Sequence, residues 1–285
     1  MMKLTFLPTG YFKLDGGAMF GVVPKQLWQR LNPPDEHNLC TWAMRCLLVE
    51  TDDRKIVVDT GIGNKQDARF RSHFHPHGSD TLVASLAANG LKPEDITDVF
   101  LTHLHFDHVG GAIHYNASGA PTATFPNATY WSNEVHWRWA LEPNAREAAS
   151  FLKENFTLLQ DQGRLQFLDV QREDLPWLPG IRVRFVYGHT EAMMLPIFEQ
   201  NGETLVYAAD LLPASYHVRM PYVMAYDVQP LATLREKARL LEEAVAENWV
   251  IAYEHDPKLG ASRLRRNEKG RILAGEEVDI RQLFN

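Results

Sequence analysis

The sequence has 285 residues, of which 45% are hydrophobic, and a formal net charge of −7 at pH 7. This length and composition suit one large globular domain over residues 1–285, and the acidic balance argues against a nucleic-acid partner. The longest apolar runs have only the length of a strand, which argues against a membrane-spanning helix. The chain start lacks the pattern of a signal peptide, so we expect a cytoplasmic protein in which Cys40 and Cys46 are buried thiols.

Hydrophobic periodicity predicts an α+β chain in which runs of strands are interrupted by helices. In chain order we expect strands near 3–7, 42–50 and 54–59, a helix near 79–89, strands near 97–102 and 128–132, helices near 133–141 and 144–160, strands near 181–187, 193–199 and 204–209, a helix over 229–247 and a strand at 249–254. Ser79 or Asp80 would begin the first helix and Gly90 would end it. A turn signal at residues 267–270 predicts a short hairpin within 258–285. Two sheets packed face to face, with helices outside, fit this order.

The most informative segment follows the strand predicted near 97–102 and carries His103, His105, Asp107 and His108 before a pair of glycines. Residues two apart on a strand point the same way, so the first two imidazoles can converge on one point. The turn that follows adds a carboxylate and a third imidazole. Imidazole and carboxylate together suit zinc, with iron, manganese or cobalt as alternatives. The segment therefore predicts a metal site.

This segment resembles the signature of the metallo-β-lactamase superfamily, in its hydrolase branch with two metal ions. The signature also requires a later His, an Asp and a final His, each at a strand end, and the chain offers His189, Asp210 and His255. Asp59 resembles the aspartate that this family places behind its metal ligands, where it orients an imidazole. The resemblance covers about residues 40–257 and implies a four-layer αββα sandwich.

The resemblance also implies how the site is arranged. Two divalent metal ions are expected, and the water shared between them would ionise to a hydroxide that attacks the substrate. One ion would take His103, His105 and His189, the other would take Asp107, His108 and His255, and Asp210 would bridge them. The two aspartates are therefore candidate catalytic residues as well as ligands.

Other histidines offer alternatives to this ligand set. His73, His75 and His77 form a tract that resembles a second metal site, but an intervening proline and polar surroundings favour a solvated loop or a lid. His217 competes with His255 for the last ligand position. His255 is favoured because it ends an apolar strand, whereas His217 lies in a loop bounded by prolines.

Two apolar segments are candidates for the substrate pocket. Residues 16–24, within an N-terminal segment 1–40, are similar to a stretch that borders the pocket in acyl-homoserine-lactone lactonases and methyl-parathion-type hydrolases. The loop after the bridging aspartate is the second candidate and contains Tyr216, Met220, Tyr222, Met224 and Tyr226. Core packing is an equal explanation for any one of these side chains.

The resemblance departs from the lactonase pattern just after Asp210. Many lactonases carry a tyrosine a few residues beyond this aspartate, where it assists the substrate carbonyl. Here Leu211, Leu212 and Pro213 follow, and Tyr216 is the first tyrosine. Tyr216 is therefore the candidate catalytic residue for that role.

We expect a dinuclear metal-dependent hydrolase that opens lactones similar to acyl-homoserine lactones, as quorum-quenching lactonases do, or related esters. A phosphotriester or arylester hydrolase on the same site is the alternative. A thioester hydrolase of the glyoxalase type is less favoured because the tail after His255 is short. A metal-binding but inactive scaffold is disfavoured by the complete ligand set. The expected partner is a small ester or lactone, with no membrane partner and with a homodimer left open.

Overall fold

Two β-sheets packed face to face form the frame of the molecule, which a computed structural model describes for residues 1–284. The strands in chain order are β1 (Lys3–Asp15), β2 (Leu39–Glu50), β3 (Lys55–Val58), β4 (Asp98–Phe100), β5 (Ile113–Tyr115), β6 (Pro121–Ala123), β7 (Thr129–Asn133), β8 (Leu165–Leu168), β9 (Leu175–Leu178), β10 (Ile181–Val186), β11 (Met193–Gln200), β12 (Glu203–Tyr207), β13 (Val250–Ala252), β14 (Ala261–Arg266) and β15 (Ile272–Glu277). One sheet has the order β1-β2-β3-β4-β7-β8, the other has the order β15-β14-β13-β12-β11-β10-β9, and β5 and β6 form a separate hairpin.

Helices cover the outer faces of the sheets. They are α1 (Gly16–Phe20), α2 (Lys25–Trp28), α3 (Ala68–Phe74), α4 (Leu82–Ala88), α5 (Phe106–Val109), α6 (Glu134–Leu141), α7 (Thr157–Asp161), α8 (Pro230–Ala246) and α9 (Ile280–Leu283), with short 3-10 turns at Pro93–Asp95, Gly110–Ala112, Lys153–Asn155, Ala209–Leu211 and Ser215–Val218. Within residues 1–284, no helix is both long enough and apolar enough to cross a lipid bilayer.

The alternation of side chains along β2 shows how the layers form. Leu47 and Val49 point into the core between the two sheets, whereas Cys46 and Leu48 point to the outer face, under the helices. All four are fully buried, and each Leu or Val side chain contributes roughly 1.5–3 kcal/mol through removal from water. Both faces of this sheet are therefore covered, which confirms the expected αββα sandwich.

Most expected elements are present, but the predicted helix over 144–160 is wrong. That stretch contains turns, the Lys153–Asn155 turn and the short α7 instead. Asn144 explains part of the difference, because its side-chain oxygen accepts hydrogen bonds from the backbone N–H groups of Arg146 and Glu147. A side chain that takes up local N–H groups in this way competes with a helix.

Smaller corrections concern the ends of elements. The helix expected near 79–89 begins after Thr81 rather than after Ser79 or Asp80, because the Thr81 hydroxyl accepts the N–H of Ala84. The first strand extends to Asp15, well beyond the expected end near residue 7. The predicted terminal hairpin is present as β14 and β15, which pair antiparallel.

Parallel pairing brings the chemically important loops to one edge of the sandwich. β3 pairs parallel with β4, and β12 pairs parallel with β13, so the segments that follow these strands leave in a common direction within each sheet. Asp59 follows β3, the His103 segment follows β4, Asp210 follows β12 and His255 follows β13. The fold therefore collects residues that are far apart in sequence along one edge.

A buried lysine gives a prediction about stability. Lys237 on α8 is fully buried, and its Nζ donates to the backbone oxygens of Arg219 at 2.7 Å and Tyr222 at 2.8 Å. Burial lowers the pKa of Lys237 to about 7, and the charge of Asp227 offsets this only in part. Between about pH 7 and pH 10 the unfolded chain therefore binds a proton that the folded chain lacks, so this group makes folding more favourable as the pH rises.

We expect Lys237→Met to remove this contribution, although the variant is less stable at every pH because its carbonyl acceptors lose their donor. The measurement is the urea midpoint of both proteins at pH 7, 8 and 9. The difference between wild type and variant should widen as the pH rises. If the urea midpoints of the two proteins instead change in parallel with pH, Lys237 keeps its proton in the folded state.

Candidate metal centre

His103, His105 and His189 form the first half of the site. Their nitrogen atoms lie within 4.8 Å of one another, and Nδ1 of His105 lies 3.1 Å from Nε2 of His189. The other nitrogen of His189, Nδ1, lies 3.0 Å from a carboxylate oxygen of Asp227, to which it donates. Nε2 of His189 therefore carries a lone pair that points at His105.

Asp107, His108 and His255 form the second half. Nε2 of His108 lies 3.2 Å from Nε2 of His255, and Oδ2 of Asp107 lies 3.6 Å from the same atom of His255. Nδ1 of His255 donates to the backbone oxygen of Ala43 at 2.7 Å, and Nδ1 of His108 donates to Asp59 at 3.0 Å. Both Nε2 atoms are therefore lone-pair atoms that face each other.

Asp210 lies between the two halves and presents one oxygen to each. Oδ2 lies 3.1 Å from Nε2 of His189, and Oδ1 lies 3.1 Å from Nε2 of His255. The structure thus brings together all seven residues that the sequence singled out as ligands: His103, His105, Asp107, His108, His189, Asp210 and His255.

The donor atoms fit metal ions better than they fit one another. Lone pairs of facing imidazoles repel unless a cation or a proton lies between them. Each half of the site contains one such facing pair of nitrogen atoms. Nε2 of His103 and Oδ1 of Asp210 are also buried without a hydrogen-bond partner in residues 1–284. Burial lowers the pKa of His255, but the charge and hydrogen bond of Asp210 together with the charge of Glu254 outweigh burial and raise that pKa to about 9, so a proton or a cation at Nε2 is favoured. The site therefore attracts positive charge, and five imidazoles with two carboxylates suit two such ions.

Asp59 orients an imidazole in each half, in line with the role expected for it. It contacts His108 directly, and it accepts hydrogen bonds from the N–H of Thr102 at 2.8 Å and from the Thr102 hydroxyl at 2.7 Å. That hydroxyl in turn lies 3.1 Å from Nδ1 of His103. Burial and the nearby Glu254 carboxylate raise the pKa of Asp59 to about 7.

Sequence reasoning missed three buried carboxylates next to the ligands. Asp227 accepts from His189, Glu147 lies 3.5 Å from Nε2 of His105, and Glu254 lies 3.1 Å from Nδ1 of His108. The first two belong to loops without a recognisable pattern. Glu254 had one available signal, since it directly precedes the predicted ligand His255 in an apolar strand.

The alternative histidines do not join the site. His73, His75 and His77 are exposed at the end of α3, and none belongs to a group of metal-competent side chains found in residues 1–284. His217 is buried, stacks on Phe20 and donates through Nε2 to the backbone oxygen of Met19. His77 lines a separate cavity of about 740 Å³, whose walls include none of the seven candidate ligands.

The two apolar segments expected at the substrate pocket contact each other. The N–H of Ala225 donates to the backbone oxygen of Ala18, and Tyr216 packs beside Phe20 with ring centroids 6.1 Å apart. Phe20 and its neighbour Met19 are fully buried, so they belong to the core rather than to an open pocket wall. Burial raises the pKa of Tyr216, and its catalytic role stays a prediction.

A two-sheet sandwich with clustered His and Asp side chains at one edge defines a metal-dependent hydrolase. Comparison with known proteins agrees, since the profile of the Metallo-beta-lactamase superfamily matches residues 45–255. The chain belongs to this superfamily.

Individual relatives agree with this assignment. An N-acyl homoserine lactonase of Bacillus cereus is 23% identical over 273 residues, which cover 89% of this chain and 93% of that protein. The structure of a probable metal-dependent hydrolase from Staphylococcus aureus superposes with a TM-score of 0.85 at 28% identity and covers 98% of both chains. AidC, a dizinc quorum-quenching lactonase, superposes with a TM-score of 0.76 at 20% identity, with 98% of this chain and 96% of that chain covered, and shares the fold.

The facing lone pairs predict how much metal the protein holds. We expect about two transition-metal ions per chain after reconstitution, because each half of the site offers its own set of donors. Elemental analysis of the dialysed protein checks this. A plateau at one ion or fewer in excess metal would rule out the dinuclear arrangement.

A pair of variants tests which histidines are ligands. His255→Ala should lower the metal content by about one ion and remove most of the turnover, because the second half loses a donor. Changing His73, His75 and His77 together to alanine should leave the metal content unchanged. These side chains are exposed, and none of them belongs to a group of metal-competent side chains found in residues 1–284. Loss of metal in the triple variant and not in His255→Ala would reverse the assignment.

Proposed function

We propose that this protein is a dinuclear zinc hydrolase that opens lactones bearing an N-acyl chain, and that it acts as a quorum-quenching lactonase. The observation that carries the proposal is the pair of facing imidazole contacts joined by Asp210. In this arrangement His103, His105 and His189 hold one ion, Asp107, His108 and His255 hold the other, and Asp210 bridges them. Imidazole nitrogens and carboxylate oxygens together suit zinc, with iron, manganese or cobalt as substitutes.

When bound, such ions lower the pKa of a coordinated water to near 7 and polarise the substrate carbonyl. The exposure of the ligand side chains indicates the side from which a substrate can approach the site. His105, Asp107 and Asp210 are the most exposed of the seven, with 6–7% of their surface accessible, and so they mark the open side of the site. Asp107 lies there, and its carboxylate can take up the proton of the attacking water and return it to the departing alkoxide.

A set of exposed apolar side chains, called here the apolar substrate surface, supports an acyl substrate. Val22, Met220 and Tyr226 are 93%, 37% and 38% exposed, and they lie on the two segments that Ala18 and Ala225 join. Burial, then the charges of Asp15 and Asp107, raise the pKa of Tyr226 to about 12, so its hydroxyl stays protonated at neutral pH.

The similarity to N-acyl homoserine lactonases supports the lactone class, since the match covers most of both chains. A single catalytic domain is supported by β1 (Lys3–Asp15), which is a strand of the first sheet, and by the terminal hairpin, which extends the second. The cytoplasmic location, the homodimer and the role of Tyr216 stay predictions.

A series of lactones with acyl chains of increasing length tests the substrate class. We expect kcat/KM to rise with chain length, because each buried methylene adds about 0.8 kcal/mol of binding. The double variant Val22→Ser, Met220→Ser should flatten this rise while leaving the shortest lactone unaffected. Tyr115→Ser, which changes an exposed side chain on β5, is the matched control.

An aryl phosphotriester and an aryl ester should be assayed beside the lactones, because they test the alternative function on this site. Faster turnover of the phosphotriester, together with no dependence on acyl length, would favour the alternative function on this site. Hydrolysis of none of these substrates by protein that holds two ions would contradict the proposed function and leave the ligand assignment intact.

A further inference from the structure

The turn at residues 144–147 contacts the metal centre from outside the ligand set. Glu147 lies on this turn, is almost fully buried and presents Oε1 to Nε2 of His105 at a distance of 3.5 Å. Neither of these two atoms has another hydrogen-bond partner in residues 1–284. Burying a carboxylate oxygen without a partner costs free energy of folding, so the contact with Nε2 of His105 is the interaction that can offset this cost.

His105 differs from His189, His108 and His255 in the way it faces the cluster. It turns Nδ1 toward the other donors, whereas those three turn Nε2 inward. The outward nitrogen of His105 is therefore Nε2, at the far end of the ring from the backbone. A partner at that position controls the rotation of the ring and keeps the proton on Nε2, which leaves the lone pair on Nδ1.

The carboxylate of Glu147 is itself fixed. Its second oxygen, Oε2, accepts hydrogen bonds from Nε1 of Trp139 at 2.8 Å and from Nδ2 of Asn144 at 2.7 Å. With Oε2 held by two donors, Oε1 is left facing Nε2 of His105, with the Thr190 side chain beside the same carboxylate. The geometry thus resembles the carboxylate–histidine pairs that orient metal-bound imidazoles in other proteins.

Arg146, which precedes Glu147, contacts the segment that supports His189, another histidine of the same half of the site. Its guanidinium donates to the backbone oxygens of Ala225 and Asp227. Asp227 is the residue whose carboxylate accepts Nδ1 of His189 at 3.0 Å. One short turn therefore contacts His105 through Glu147 and supports the partner of His189 through Arg146.

We propose that residues 144–147 form a positioning element of the metal centre, in which Glu147 orients His105 and Arg146 holds the segment that orients His189. Both imidazoles belong to the same half of the site, so the element acts on one ion rather than on both. The Ala225–Asp227 segment also carries Tyr226, so the element links the apolar substrate surface to this half. The inference rests on the proposed ligand set.

Zinc affinity is the test, because it needs no substrate. Competition with a chromophoric chelator should resolve two ions in the wild type. Glu147→Ala should weaken one of them about 10–100-fold and leave the other within about twofold. Glu147→Gln has nearly the same shape but only one acceptor oxygen, which Trp139 and Asn144 occupy, so its NH2 group faces Nε2 and the affinity should stay low. Glu142→Gln is the matched control, since it makes the same change at an exposed position five residues away.

Arg146→Ala should weaken the same ion by a smaller factor and should raise KM for long-chain lactones more than it lowers kcat, with Arg146→Lys intermediate. The visible spectrum of the cobalt-substituted protein should change in Glu147→Ala and remain unchanged in Glu142→Gln. If Glu147→Ala does not fold, the nearly isosteric Glu147→Gln provides the same test, because it removes the acceptor for Nε2 without leaving a cavity.

Unchanged affinity for both ions in Glu147→Ala, or in Glu147→Gln if the first variant does not fold, would overturn the proposal. Equal weakening of both ions would also overturn it, since that result indicates general loosening of the fold. A wild-type protein that binds a single ion would instead overturn the ligand set itself. The two failures are therefore distinguishable.

Discussion

Two pairs of imidazole nitrogens that face each other at 3.1 and 3.2 Å are the constraint on which the site depends. Such contacts are repulsive unless positive charge lies between the rings, so a fold that holds them must fix each ring from behind. His189 is fixed by Asp227, His255 by the backbone oxygen of Ala43, and His108 by Asp59. These hydrogen bonds place the proton on the outer nitrogen and direct the lone pair inward, which prepares the site for metal ions before they arrive.

The position of Asp59 depends on close backbone contacts that only glycine allows. A Cβ atom at Gly110 would lie 2.2 Å from the backbone oxygen of Ile62, and one at Gly111 would lie 2.2 Å from that of Thr60. The glycine pair after the histidine segment thus lets the loop beyond β3 pass directly against it. This contact keeps Asp59 within reach of both Thr102 and His108.

The sequence analysis predicted the sandwich and the convergence of the candidate ligands because both follow from strand ends. Apolar strands are visible as local patterns, and a polar residue that ends such a strand marks the edge of a sheet. Glu147 and Asp227 gave no such signal, since each lies in a loop about 40 residues from the histidine it contacts. The expected helix over 144–160 fails at the same place, because Asn144 bonds to its own turn and to Glu147 there. The hydrogen bonds of Asn144 override the helix propensity of this segment, and the contact of Glu147 with an imidazole 42 residues away leaves no local sign in the sequence.

Each half of the site takes two ligands from a loop of the first sheet and one from a loop of the second. The first half combines His103 and His105, which follow a strand of one sheet, with His189, which follows a strand of the other. The second half combines Asp107 and His108 with His255 in the same way. Each proposed ion would therefore be held by residues of both sheets at their common edge, and metal binding would stabilise the packing of one sheet on the other. The apolar core between the sheets, which contains no ligand, holds the rest of the sandwich together. Because hydrogen bonds to Asp59, Asp227 and the Ala43 carbonyl orient the donors at this edge, the fold supplies much of the organisation and the proposed ions would offset the repulsion between the rings.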